Sequence, residues 1–247
     1  MNRILFERDE LQADGTVVLT DARATHIRNV LGADVGRILH VGMVNGLAGD
    51  GRVLDVGPDA VWLAVTLDVE TPPPWIDLIL AVPRPKVLKR LWAQLAALGV
   101  GRIMLINAAR VEREYFATHW IEESHYRPLL IEGLMQAGNT HLPAISIERR
   151  FRPYVEDRLD AAFPGTLRLV AHPETAEASR DSTLQPGGAS AASPVLLAVG
   201  PEGGWTPFEL ELLEQRGFRR FALGTRTLRT DTACIALLAV LGAQQGQ

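Results

Sequence analysis

The order of apolar and polar residues changes character after about 70 residues of the chain. Before that point the apolar runs are short and rich in β-branched residues. Thr16-Val-Val-Leu19, Arg37-Ile-Leu-His-Val41, Gly51-Arg-Val-Leu-Asp-Val56 and Ala60-Val-Trp-Leu-Ala-Val-Thr-Leu67 read as strands, separated by Gly, Asn, Asp and Pro. Asp21 is placed to cap a short helix through His26 and Leu31, which Gly32 would stop. Short strands with one helix predict a small β-barrel over residues 1–71.

Thr71-Pro-Pro-Pro74 marks the boundary, because successive prolines remove backbone donors and stiffen the chain. From residue 75 to residue 247 strands alternate with helices. Ile76–Val82 is an apolar strand. Lys86–Leu98 places apolar residues at 87, 88, 91, 95 and 98, a helical face that Gly99 ends. Arg102–Ile106, Thr166–Ala171, Val195–Val199 and Arg219–Leu223 read as further strands, with helices at about 119–137, 206–216 and 230–242. This alternation predicts an α/β domain with a parallel sheet covered on both faces. Residues 174–194 are small and polar and read as a loop.

Composition narrows the class. The chain is 47% apolar and 22% charged, which fits a folded globular protein and excludes a wholly disordered one. The longest apolar run, Cys234 to Leu241, is far short of the roughly 20 residues that span a bilayer. Met1–Arg8 returns to charge before a signal-peptide core can form, so a cytoplasmic protein with no membrane segment is expected. Cys234 is the one cysteine and lies among apolar residues; it reads as a buried small hydrophobe, and no Cys/His spacing suggests a metal. The net charge of −4 means that any nucleic-acid surface has to be a local concentration of Arg and Lys. Arg84, Lys86, Lys89 and Arg90 gather at a helix start, and Arg3, Arg23, Arg28 and Arg37 populate the first unit. Each reads more simply as a solvated surface charge.

Two segments carry chemistry. In Leu197-Ala-Val-Gly200-Pro201-Glu202-Gly203-Gly204-Trp205-Thr206 an apolar strand runs into a glycine-rich turn and then a helix. Thr206 suits the N-cap, Pro207 the first helical position, and Glu209 the third. Glycines there let backbone approach a ligand beyond the carboxyl end of a strand. The turn has neither the Lys-Ser/Thr ending of a P-loop nor the dinucleotide spacing. In Leu223-Gly224-Thr225-Arg226-Thr227-Leu228-Arg229-Thr230-Asp231-Thr232-Ala233 a second strand ends at a glycine, and a loop with two arginines leads to a final helix. Arginine suits bidentate contact with phosphate or a base edge, although a solvated face, or for Arg229 a salt bridge to Asp231 or to a partner subunit, is the plain alternative.

In this order and spacing the two segments resemble the signature of the RsmE family, ribosomal RNA uridine N3-methyltransferases of the SPOUT superfamily. Gly200 to Gly204 match fully, as do Leu223, Gly224, Arg226, Leu228, Arg229, Thr230, Thr232 and Ala233. His26-Ile27 with Val30-Leu31, Leu98-Gly99-Val100 and Ala171-His172-Pro173 extend the resemblance over essentially the whole chain. Departures are Asp231 and Thr227 in the second segment, and Gln94, Ala97, Met135 and Asn139 elsewhere.

The resemblance implies a PUA-like RNA-binding barrel over 1–71 and a SPOUT domain over 75–247 with a C-terminal trefoil knot. It implies S-adenosyl-L-methionine as cofactor, held by His172, by Val199, Gly200, Pro201, Glu202, Gly203 and Gly204, and by Leu223, Gly224, Leu228, Arg229 and Thr230. Arg229, with Arg226 second, would stabilise the uridine anion or position the RNA. RNA contacts would come from Arg3, Arg23, His26, Arg28, Arg84 and Lys86. The expected partners are ribosomal RNA or the assembled small subunit and a second copy of the chain, with neither metal nor membrane. A methyltransferase of another RNA and a non-catalytic RNA-binding relative are the competing readings.

Overall fold

The structure is a computed structural model that describes residues 2–173 and 194–246. The small polar stretch expected as a loop lies, apart from Pro194, outside the described residues. The chain forms two compact units, Met1–Pro73 with Leu130–Leu142, and Pro74–Leu129 with Pro143–Gln247.

The first unit holds a curled, mixed sheet of β1 (Ile4–Phe6), β2 (Thr16–Leu19), β3 (Ile38–Met43), β4 (Ala48–Val56) and β5 (Val61–Val69). Their order is β1-β3-β4-β5-β2, with β1 parallel to β3 and the other pairs antiparallel. The register between β4 and β5 shifts at Ala48/Gly49 and at Val53/Asp55, and such bulges add curl to a sheet. Gly49 is obligatory at the first shift, since a Cβ there would lie 1.9 Å from the Thr66 carbonyl oxygen. The core includes Phe6, Val17, Leu19, Val41, Val53 and Leu63. Helix α1 (Ala22–Asn29) adds Ala24 and Ile27 to it, and its cap is the expected one, with the Asp21 side chain accepting from the Arg23 amide. Strand β1 escapes sequence reading because three buried residues in a row show no alternation.

The segment Leu130–Leu142 belongs to this unit although it follows the proline boundary by more than fifty residues. Met135 O accepts from the amides of Asn2 and Arg3 at 3.0 and 3.1 Å. Thr140 is fully buried and its hydroxyl donates to Gly46 O at 2.7 Å.

The second unit is a six-stranded sheet, every neighbouring pair parallel, in the order β11-β9-β10-β6-β7-β8. Its strands are β6 (Ile76–Ala81), β7 (Val100–Ile106), β8 (Ala144–Glu148), β9 (Leu167–Ala171), β10 (Val195–Val199) and β11 (Arg219–Phe221). Central β6 and β10 are buried along their whole length, as strands covered on both faces must be. The helices are α2 (Pro85–Ala97), α3 (Glu123–Ala137), α4 (Phe151–Asp157), α5 (Leu159–Ala162), α6 (Pro207–Gln215) and α7 (Thr230–Gln245); α3 passes from the second unit into the first. Helix α2 buries Leu88, Leu91, Trp92, Leu95 and Ala96, close to the face read from its periodicity, and Gly99 ends it at φ 79°.

In the second unit sequence reading differs at three places. The helix expected from about residue 119 is a 3-10 turn, His119–Ile121, followed by extended Glu122 (ψ 139°) and then α3. Strand β8 is an edge strand with no fully buried residue, so it carries no alternating signal. Short α4 and α5 were not anticipated.

Candidate functional site

Three strands, β9, β10 and β11, run parallel and adjacent, so their carboxyl ends open on one side of the sheet. The turns leaving them line a common cleft. Ala171, His172 and Pro173 line it from β9. Val199 to Glu202, Gly204 and Trp205 line it from β10, and Phe221 to Gly224 with Arg226 to Leu228 from β11. Thr230, Ala233 and Leu237 line it from α7.

The glycine turn is built tightly. Gly204 has φ 72° and donates its amide to Pro201 O at 2.8 Å. A Cβ on Gly200 would lie 3.1 Å from the indole of Trp205, so glycine lets that ring pack under the backbone. Trp205 is only 4% exposed and its Nε1 has no protein acceptor. The Glu202 carboxylate accepts from the Arg84 amide at 3.2 Å, which ties the turn to the start of α2.

Glu209 holds the other side of the turn. It is 3% exposed, and one oxygen accepts from the Thr206 amide and hydroxyl at 2.8 and 2.9 Å, closing the expected capping box. The second oxygen accepts from the Ala109 amide at 2.7 Å, in the segment after β7. Arg110 of that segment donates to Gly203 O at 2.5 Å.

His172, at the rim, has its pKa lowered by desolvation and by the nearby Arg220 charge, against a smaller opposing effect of Glu214. Both causes favour the neutral imidazole.

Ten of the twelve expected cofactor residues line the cleft; Gly203 and Arg229 do not. Gly203 faces Arg110 instead, with its Cβ position 3.1 Å from Arg110 Cδ. Arg229 is the exposed N-cap of α7. Asp231 pairs with Arg90 at 2.7 Å and not with Arg229. Arg226 lines the cleft. Sequence reading did not single out Phe221, Ala222 and Leu237, which are ordinary apolar residues whose role comes only from their position. It also did not anticipate Ala109 and Arg110 behind the turn.

Of the expected RNA residues, Arg3, Arg23, His26 and Arg28 lie in the first unit and Arg84 and Lys86 in the second. Arg3 donates to Gly138 O at 3.0 Å and Val41 O at 2.9 Å. Arg23 is bound by Leu5 O, Glu10 and Asp21. Arg28 donates to Gly57 O at 2.9 Å and to Pro58 O. His26 is half-buried and its Nε2 has no protein partner. Arg84 and Lys86 are exposed at the start of α2, with Arg84 beside Glu202.

Residues 70–242 match the model of the RNA methyltransferase domain family. A Treponema pallidum protein named ribosomal RNA small subunit methyltransferase E is 32% identical over 98% of this chain and 90% of its own length. The chain belongs to this methyltransferase family. A Synechocystis protein of the same name is 25% identical over 93% of this chain and 74% of its own. Among solved structures, the ribosomal RNA small subunit methyltransferase E of Neisseria gonorrhoeae bound to S-adenosyl methionine superposes with TM-score 0.74, at 22% identity, over 98% of this chain and 97% of that one. A Legionella pneumophila methyltransferase in complex with the same cofactor gives TM-score 0.73 at 24% identity, over 98% and 97%. These two likenesses establish that the family's fold is kept here.

Proposed function

We propose that the protein uses S-adenosyl-L-methionine to methylate N3 of a uridine in small-subunit (16S) ribosomal RNA. The observation that carries this reading is the cleft at the carboxyl ends of β9, β10 and β11, walled by the two segments that bear the family signature. Its apolar lining residues and its glycine-rich backbone, with a few polar groups among them, suit a small organic ligand such as this cofactor. When bound, the cofactor supplies a methyl group on a positively charged sulfur.

The chain's part is orientation and electrostatics. Backbone of the three turns would fix the methyl group in line with the attacking nitrogen, and alignment of this kind supplies much of such a rate enhancement. In the transfer the N3–carbon bond forms, the carbon–sulfur bond breaks, and the N3 proton leaves to solvent. Arg226, facing the cleft, would stabilise the nitrogen anion; Arg229, exposed beside it and free of Asp231, would position the RNA. Arg226→Ala and Arg229→Ala are each expected to lower the rate at saturating RNA by about 100-fold. Parent rates in both would remove the arginines from the mechanism.

The family resemblance also supports a C-terminal trefoil knot, a PUA-like RNA-binding role for the first unit, a homodimer and a cytoplasmic location. The deciding experiment transfers labelled methyl to small ribosomal subunits lacking the modification and maps the labelled nucleotide. Label at N3 of one uridine is expected. Label on another RNA, or cofactor binding without transfer, would overturn the assignment.

A further inference from the structure

Five arginines that no signature contains gather where β7 and β8 end. Ile106 and Glu148 are paired there, and Asn107 donates its amide to Glu148 O at 2.9 Å and its side chain to Arg149 O at 3.3 Å. The segment after β7 therefore runs beside the segment after β8. Arg110 and Arg113 come from the first, Arg149, Arg150 and Arg152 from the second, and all five are exposed.

Two of them lie against aromatic rings. The Arg149 guanidinium lies 5.4 Å from the ring centre of Phe116, and that of Arg152 lies 6.0 Å from Phe208. Phe208 is 52% exposed in the first turn of α6. Arg110 donates to Gly203 O, so the cluster abuts the glycine turn of the cleft. The acidic neighbours are Glu112, Glu114, Glu156 and the buried Glu209, whose carboxylate is held by the Ala109 amide; Glu156 takes Arg152 at 2.9 Å, while Glu148 is paired with Arg158. Among the described residues Arg113, Arg149 and Arg150 form no ion pair. The ridge is thus locally positive on a chain of net charge −4.

We propose that this ridge is the surface on which the RNA backbone docks, with Phe208 offering a face for one stacked base. Exposed guanidinium groups bind phosphate in bidentate fashion, and aromatic faces hold bases of any sequence. A local basic field of this sort lets an acidic chain bind RNA. The inference rests on the methyltransferase reading above.

The test follows binding of a small-subunit ribosomal RNA transcript to the full chain across a salt series, with S-adenosylmethionine binding measured calorimetrically in parallel. Combined Arg149→Gln and Arg150→Gln is expected to weaken RNA binding about tenfold and to reduce the slope of log affinity against log salt by about two. Phe208→Ala is expected to weaken RNA binding about fivefold or more with the slope unchanged. Cofactor affinity stays at the parent value in both. Parent-like RNA affinity and slope in both variants overturn the ridge and leave the methyltransferase reading standing. A parent protein that binds the cofactor but no RNA overturns both.

Discussion

Arg23 illustrates why a residue picked out by charge alone is hard to assign. Its guanidinium donates to Leu5 O at 2.9 Å and joins the carboxylates of Glu10 and Asp21. Burial pushes both carboxyl groups up, but their hydrogen bonds to Arg23 and its charge outweigh this, and both end below their ordinary values of 4.5 and 3.8. Carboxylates with depressed folded values contribute stability that is present above the ordinary values and lost as pH falls through the folded ones. Arg23→Gln is expected to cost about 1–3 kcal/mol at neutral pH and to flatten the loss of stability below about pH 4.5. Urea unfolding as a function of pH checks this; an unchanged acid limb would contradict it. Cys234 was anticipated better, because its apolar neighbours already indicated burial. It is fully buried, which raises its pKa to about 12 and keeps the thiol protonated.

At the scale of elements, α6 was well anticipated because its start is written in local chemistry. Thr206, Pro207 and Glu209 form the cap that their spacing announces. The spacing says nothing of the bond from Glu209 to Ala109, which joins residues a hundred positions apart. Glu209→Ala leaves that amide and both Thr206 donors without an acceptor. We expect a loss of about 2–4 kcal/mol together with weaker S-adenosylmethionine binding, since the turn before α6 loses its anchor. Calorimetric titration alongside thermal unfolding tests this; lost stability with unchanged cofactor affinity would make Glu209 a cap and nothing more. Strands β1 and β8 fail the other way: three buried residues and an exposed edge leave no periodicity to detect.

At the scale of the whole molecule the first unit is discontinuous. Residues 1–73 lack the segment that supplies fully buried Thr140 and the carbonyl for the amides of Asn2 and Arg3. A fragment of those residues is therefore expected to lack cooperative folding, and joining Leu130–Leu142 to it through a flexible linker should restore it. Dispersed amide resonances from the shorter fragment alone would refute this. The sequence by itself determined the change of architecture at the prolines, the alternation of strand and helix, and the two signature segments, because periodicity, capping and turn chemistry act over a few residues. Only the tertiary structure decided that β10 lies between β9 and β6, so that three turns far apart in the chain open on one cleft. It alone also decided which arginines are engaged by main-chain carbonyls and which stay exposed, since those partners lie 38 or 135 positions away for Arg3, a separation at which local pattern carries no signal.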